Sequence, residues 1–387
     1  MSVAVLYTAV CGQLSVPLNP YILDVLQATA TTDVTIKLTG NDRLKRVQKL
    51  SDGDVRVLSR CLRTAEGITG LDLKYNEISD EGARHLADLI EEQTSTLQFV
   101  DLMGNNIHSE GAEMLAKSLH TNHTLQELDL ADCDLGSQSV IAFAIVLKSN
   151  TSLLSLNISR PILFSHQDEI AVHMSSMLRV NLTLRELHLG KMALTNSGLE
   201  RLTEGLRANR SLRYLDLRCN RVSRDGAISL SAVLKSNGAL QILDLSSNRI
   251  EDEGAASLSE AVASPACGLK ALAITSNNIG SPGLLALAQA MKASGTLTHV
   301  YICGNHLQEP VVCQAFSELM ASGRLSPAHT DVSAYEVEDH VGLAEVPHGL
   351  RRHYYCTPGH GATGGRPAAN AANAALDLTA NTHPLYP

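Results

Sequence analysis

One spacing limits what this chain can fold into. The pattern L-x-x-L-x-L-x-x-N occurs as Leu97, Val100, Leu102, Asn105 and again as Leu212, Leu215, Leu217, Asn220. It recurs as Leu240, Leu243, Leu245, Asn248, then Leu269, Leu272, Ile274, Asn277, then Leu297, Val300, Ile302, Asn305. An earlier copy starts at Ile68 and ends in Asn76, and three looser copies end at Cys133, Pro161 and Met192. From Asn76 to Asn305 there are nine units, 28 or 29 residues apart with one interval of 31. A degenerate unit, Ile36-Lys37-Leu38 to Asn41, precedes them. Self-similarity at such a period stacks one supersecondary unit on the next and buries a continuous core between them.

Each position in the unit has a physical role. The leucines point inward from a short strand and stack on their counterparts in neighbouring units. The turn asparagines Asn76, Asn105, Asn220, Asn248, Asn277 and Asn305 satisfy backbone groups left unpaired where the chain leaves the strand. Six residues further on, a small residue (Gly82, Gly111, Ser139, Gly198, Gly226, Gly254, Gly283) opens a helix, with acidic or hydroxyl residues before it that favour a helix N-terminus. One strand and one full helix in 28–29 residues resembles the ribonuclease-inhibitor type of leucine-rich repeat. The expected fold is therefore an α/β leucine-rich repeat solenoid, a horseshoe of about nine to ten β-α repeats. Its parallel sheet would be concave and its helices outer. Residues 1–65 read as an N-terminal cap with the degenerate repeat, residues 66–325 as the array and residues 326–356 as a C-terminal extension. Residues 357–387 form a Gly/Ala/Asn/Pro tail with only Arg366 and Asp377 as charges, too poor in apolar side chains to fold alone.

Composition narrows the partners. The 387 residues carry 31 Lys+Arg against 40 Asp+Glu, a formal charge of −9, with 3% aromatics and no Trp. Such a surface argues against direct nucleic-acid binding, which uses basic grooves and stacking aromatics, and fits a partner with basic patches or a place in a large assembly. No stretch approaches the ~18 apolar residues of a membrane span, and the start lacks the basic residues of a secretory signal. The eight cysteines are scattered with no C-x-x-C pair, as in a reducing, intracellular setting. Of five N-x-S/T sequons (Asn122, Asn150, Asn157, Asn181, Asn209), four share one phase of the repeat, so the repeat explains them better than glycosylation.

Two candidate interaction surfaces follow. The strand positions between the inward leucines are Asp72, Asp101, Asp129, Asn157, His188, Asp216, Asp244, Ala273 and Tyr301, expected on the concave face as an acidic ladder interrupted in the middle. It would steer a basic partner, although aspartate is common at this repeat position in any case. The neighbouring outward positions (Lys74, Phe99, Met103, Tyr214, Arg218, Ile242, His299, Cys303) vary between units and would carry specificity. The second surface is the irregular unit around Arg160, Pro161, Phe164 and His166, where three successive turns lack asparagine and the interval stretches to 31. A basic cluster on the cap (Arg43, Lys45, Arg46, Lys49) reads as a solvated surface. The literal G-x-G-x-x-G at Gly359–Gly364 has no strand before it or helix after it, and so no phosphate-binding context. No metal-ligand spacing, nucleophile motif or phosphate loop emerges among the fifteen histidines, the serines or the cysteines, so no catalytic residue, metal, cofactor or small-molecule substrate is assigned.

Segments that depart from the repeat consensus are more telling than the leucines. Asn19-Pro20-Tyr21-Ile22-Leu23-Asp24-Val25-Leu26-Gln27 is one, and the run from Asp132-Cys133-Asp134-Leu135-Gly136 to Ala144 is another. Ser159-Arg160-Pro161-Ile162-Leu163-Phe164-Ser165 belongs with them, as do Leu343-Ala344-Glu345-Val346, Gly349-Leu350 and His353-Tyr354-Tyr355. From about residue 15 to 357 the chain resembles the leucine-rich repeat-containing protein 34 family. That resemblance implies a non-enzymatic intracellular scaffold associated with germ cells and ciliated cells, and also with the nucleolus and ribosome biogenesis. The expectation is a structural component of the axoneme of motile cilia or flagella. The alternative is a nucleolar and cytoplasmic adaptor linked to germ-cell or stem-cell differentiation. A regulator of the Ran GTPase-activating type comes third, since that activator has the same repeat subtype but a long acidic tail that is absent here.

Overall fold

The computed structural model describes residues 2–29, 34–44, 46–65, 67–92, 95–163, 167–347 and 349–350. Lys45, Phe164, His166 and the tail lie outside the described residues. Two helices open the chain, α1 (Val3–Leu14) and α2 (Pro20–Ala28), followed by strand β1 (Val34–Lys37) and α3 (Asp52–Leu62). Strand–helix pairs then alternate: β2 (Ile68–Asp72) with α4 (Asp80–Glu91), β3 (Phe99–Asp101) with α5 (His108–Ser118), β4 (Glu127–Asp129) with α6 (Ser137–Val146) and β5 (Ser155–Asn157) with α7 (Gln167–Val180). They continue with β6 (Glu186–His188) and α8 (Asn196–Ala208), β7 (Tyr214–Asp216) and α9 (Arg224–Leu234), β8 (Ile242–Asp244) and α10 (Glu251–Ala263), β9 (Ala271–Ala273) and α11 (Ser281–Ala293), β10 (His299–Tyr301) and α12 (Pro310–Ala321). A hairpin of β11 (Val332–Val337) and β12 (His340–Glu345) closes the described chain.

The chain falls into two compact units. The first reaches from the N-terminus through β5 and takes in β6, and its strands pair in parallel in chain order, Leu71 beside Val100, Val100 beside Leu128, Leu128 beside Leu156 and Leu156 beside Leu187. The second takes in residues 167–179 and the chain from Leu189 on, with Leu215 beside Leu243, Leu243 beside Leu272 and Leu272 beside Val300. Every one of these central strand residues is buried, each contributing about 1.5–3 kcal/mol of transfer free energy. In the first unit α3, α4, α5 and α6 pack each on the next, and in the second α8 to α12 do the same. This is the α/β leucine-rich repeat solenoid expected from the period.

Three sets of polar side chains fasten one repeat to the next. The turn asparagines act as expected from their type: Asn105 Nδ2 donates to the Leu102 carbonyl of its own strand (2.7 Å) and to Leu73 one repeat earlier (3.0 Å), while its Oδ1 accepts from Ile78 N (3.2 Å). A second set sits at the helix ends. Asn150 Nδ2 donates to Leu119 O (2.8 Å) and its Oδ1 accepts from Leu153 N (2.9 Å), and Asn122, Asn181, Asn209 and Asn237 repeat the arrangement. All five sequon asparagines, Asn157 on its strand included, are buried, so the sequons belong to the fold. The third set caps helices across repeats. Asp52 Oδ1 accepts from Ser79 N (2.8 Å) and Gly82 N (3.0 Å), and Asp252 Oδ1 accepts from Gly280 N (2.7 Å) and Gly283 N (3.0 Å). The acidic residue at one helix start thus serves the next helix, where the sequence suggested its own. Gly82 is small because a Cβ there would stand 2.5 Å from Asp52 Oδ1.

In the cap, Asn19 accepts from Tyr21 N (3.0 Å) and Pro20 opens α2, as their types suggested. Among the described residues no helix is long and apolar enough to cross a membrane.

Candidate interaction surface

The strands bring the expected ladder into register. In the first unit Asp72, Asp101, Asp129, Asn157 and His188 stand side by side on successive strands, and in the second Asp216, Asp244, Ala273 and Tyr301 do. The geometry differs from the expected open acidic face in two ways, however. None of these residues is more than 7% exposed. Most of the acids are also engaged locally. Oδ1 of Asp101, Asp129, Asp216 and Asp244 accepts the backbone N–H two residues on (Met103, Ala131, Arg218 and Ser246) at 2.9–3.0 Å, and Asn157 does the same for Ser159 at 3.1 Å. The oxygen that the sequence offers to a partner already holds the strand exit.

Charge is compensated within the row. Lys74 Nζ lies 3.1 Å from Asp72 and 3.4 Å from Asp101, and Arg218 lies 2.6 Å from Asp216 and 3.6 Å from Asp244. Asn157 Nδ2 donates to Asp129 Oδ2 at 2.9 Å, and His188 Nε2 stands 3.3 Å from Glu186, both wholly buried. The sequence suggests Lys74 and Arg218 as variable outward positions; their placement between two strands shows them as counter-ions. Burial, and next the neighbouring Asp129, push the Asp101 carboxyl up to about 7 against the pull of Lys74. Burial likewise raises Asp244 against the opposing pull of Arg218. On Lys74 burial acts downward, but Asp101 and Asp72 outweigh it and the ammonium is held above its ordinary value. Desolvation dominates the carboxylates because it grows with burial, whereas the attraction is shared among several acids.

The irregular unit is built differently. The residue before each turn is left-handed in every repeat from Tyr75 to Gly304, and here it is Arg160, at φ 60°. Pro161 follows, and Ile162 N donates to Leu135 O at 2.8 Å. The Arg160 guanidinium lies 2.8 Å from Asp132 with both side chains well exposed. Cys133 stands where asparagine would, and its Sγ–H donates to Leu102 O at 3.0 Å. Burial raises the Cys133 thiol far above its ordinary range, so it stays protonated and keeps donating. Met192 occupies the corresponding turn as a buried apolar side chain.

Exposed large apolar side chains concentrate in the same stretch of sequence. Of the twelve among the described residues, Ile145, Ile162, Val172, Val180 and Leu182 lie between residues 145 and 182, Leu182 at 74% exposure. Exposed apolar residues scattered singly are ordinary; these five follow one another in sequence on α6, the turn after β5, α7 and the segment after it, with Val172 in the second unit and the other four in the first. The sequence singles out the run that holds Arg160, Pro161 and Ile162 but not Ile145, Val172, Val180 or Leu182, although Ile145 breaks the apolar spacing of its helix and Leu182 sits between two polar residues of a sequon, Asn181 and Thr183.

The same stretch separates the matches to known repeats. A family profile described as Leucine Rich repeat matches residues 68–87, 94–116, 121–144, 208–231, 239–259 and 267–288, leaving 145–207 unmatched. The mouse ribonuclease inhibitor is 27% identical over 38% of this chain and 38% of its own length. Leucine-rich repeat-containing protein 34 of mouse is 42% identical over 92% of this chain and 94% of its own length. The human protein of that name is 41% identical over 92% of this chain and 84% of its length. Its similarity thus spans cap, array and irregular unit together, and the chain belongs to the leucine-rich repeat-containing protein 34 family.

Proposed function

We propose that this protein is a non-catalytic scaffold that binds other proteins, and that it serves as a structural component of the axoneme of motile cilia or flagella. The observation that carries the scaffold reading is the pairing of lost turn asparagines with exposed Ile145, Ile162, Val180 and Leu182. A repeat that needed only to stack would keep its asparagines and bury or replace those side chains. The partner meets a mixed surface in which Arg160 and Asp132 offer charge beside apolar contacts. The net charge of −9 suits a partner with basic patches, although Glu81 and Glu253 at their helix starts are already paired with Arg84 and Arg224. The buried Asp rows support the array, and a partner on the strand face of either unit would touch a half-exposed cation, Lys74 in the first unit or Arg218 in the second.

The axonemal placement rests on the family resemblance, and fractionation tests it. The protein, quantified in demembranated cilia or flagella, is expected to stay with salt-washed axonemes at a fixed ratio to tubulin. Loss of that retention in a variant carrying Ile145→Asp and Leu182→Asp, with an unchanged unfolding midpoint, would assign the surface. Absence from axonemes with enrichment in nucleoli would overturn the axonemal role and favour the nucleolar adaptor. Stimulated GTP hydrolysis by a Ran-type GTPase with the purified protein would overturn the non-catalytic reading.

A further inference from the structure

The strand-borne face of the second unit differs from its helix-borne side. Alternation along each strand sends Leu215, Leu243, Leu272 and Val300 toward the helices and sends the residues on either side of them to the opposite face. That face carries Tyr214, Ile242, Ala271, Ala273, His299 and Tyr301, mostly apolar and aromatic, beside Asp216 and Asp244, which Arg218 pairs; all but Arg218 are buried. The helices α8 to α12 pack on one another and lie on the leucine side. The chain itself arrives at this face. Asp331 accepts from Ile302 N (2.8 Å) and Cys303 N (3.0 Å), Glu345 Oε1 accepts from Gly304 N (2.8 Å), and Val346 N donates to Asp331 O (2.8 Å), so the β11–β12 hairpin is fastened to the turn that follows β10. Leu350, the last described residue, packs on Ala273 and Tyr301.

We propose that residues 351–387 continue across this face and are its resident occupant, so that any external partner of β7–β10 must displace the protein's own C-terminal segment. Direction, reach and chemistry support one another. The described chain ends on the face, not beside it. Neighbouring strands are about 4.8 Å apart, so the way from β10 to β7 is roughly 15 Å, which about five extended residues span at ~3.3 Å each. The segment beyond Tyr355 is almost uncharged, with Arg366 and Asp377 as its only charges and Leu376, Leu378, Leu385 and Tyr386 available to an apolar surface. A segment of this composition cannot fold alone but can order on a preformed, largely apolar face. This occupant is independent of the 145–182 surface, and either stands if the other fails.

Nitration of tyrosine by tetranitromethane, read by mass spectrometry at each position, tests it. In the full chain Tyr214 and Tyr301 are expected to react slowly; in a chain ending at Leu350 both should react at least tenfold faster. The buried Tyr7 of α1 should stay protected in both and reports that the first unit is folded, and an unchanged urea-unfolding midpoint reports the same for the second. Synthetic peptide 351–387 added to the shortened chain should restore protection. Equal rates at Tyr214 and Tyr301 in the two folded chains would overturn the proposal. If Tyr7 becomes reactive or that midpoint falls, the comparison moves to a full chain with a specific protease site inserted after Leu350 and cut once the chain has folded, and unchanged rates on release of the segment would overturn it there. Protection that rises with protein concentration in the full chain, with dimers in gel filtration, would assign the cover to a second copy and overturn it as well.

Discussion

The turns after β7 to β10 and those after β4 to β6 share one backbone course and differ in chemistry. At Asn220, Asn248 and Asn305 a single amide donates to the strand carbonyl of its own repeat and of the repeat before, at 2.8–3.0 Å, and accepts an N–H of the preceding turn. At Cys133 one of these bonds survives through sulfur; Pro161 has no N–H to give, and Met192 offers only bulk. The regular turns direct their polar chemistry inward and leave little for a partner. The irregular ones relax that demand, and they fall in the stretch where apolar side chains stand in solvent. Regularity here serves stacking, and departure from it is where we propose that a partner binds.

The largest effect should come from breaking a regular turn. Asn248→Ala takes the side-chain acceptor from buried Val222 N and one of two amide donors from each of Leu217 O and Leu245 O, and is expected to cost about 3 kcal/mol in urea unfolding. Gly104→Ala comes next, at about 2 kcal/mol, because its φ is +73° and a Cβ would lie 2.5 Å from the Tyr75 ring; relief in a Gly104→Ala, Tyr75→Ala double variant would identify the clash as the cause. Cys133→Ala should cost only about 1 kcal/mol, and Cys133→Asn should stabilise by a similar amount by supplying the second donor. A Cys133→Asn protein less stable than the parent would break the comparison.

A smaller effect concerns pH. Asp101 holds its proton in the folded state up to about 7, whereas an unfolded aspartate releases it near ~3.9. The folded state therefore binds more protons between those values, and its stability falls as pH rises from about 4 to about 7. Asp331, pushed up to about 6 chiefly by burial, adds to the same slope over the lower part of that window. Asp101→Asn should flatten the fall, seen in midpoints measured at pH 5 and pH 8; an unchanged slope would show that the carboxyl is ionised in the fold. Smallest of all, Arg160→Ala should change stability by no more than about 0.5 kcal/mol, since its pair with Asp132 is exposed, while reducing partner retention.

Much of this was legible in the residues. The period, the alternation of strand and helix and the role of the turn asparagine follow from spacing and side-chain type, because each concerns groups close in sequence or repeated in phase. The proposed interaction surface was half legible: the loss of asparagine at Cys133, Pro161 and Met192 marked the irregular units, but the exposure of Val172 and Leu182 did not show in any local pattern.

By itself, the sequence determined that this chain stacks strand–helix units, which residues line the stacked core and where the stacking falters, since leucine spacing and asparagine chemistry leave no other way to bury one face of each unit. Only the tertiary structure decided that the aspartate row is withdrawn and neutralised by Lys74 and Arg218, that Asp52 and Asp252 cap the helix of the following repeat, and that Leu350 returns to Ala273 and Tyr301. Those outcomes depend largely on which side chains meet across gaps of 26 positions or more, and exposure and ionisation are set by such neighbours, not by the residue's own place in the repeat alone.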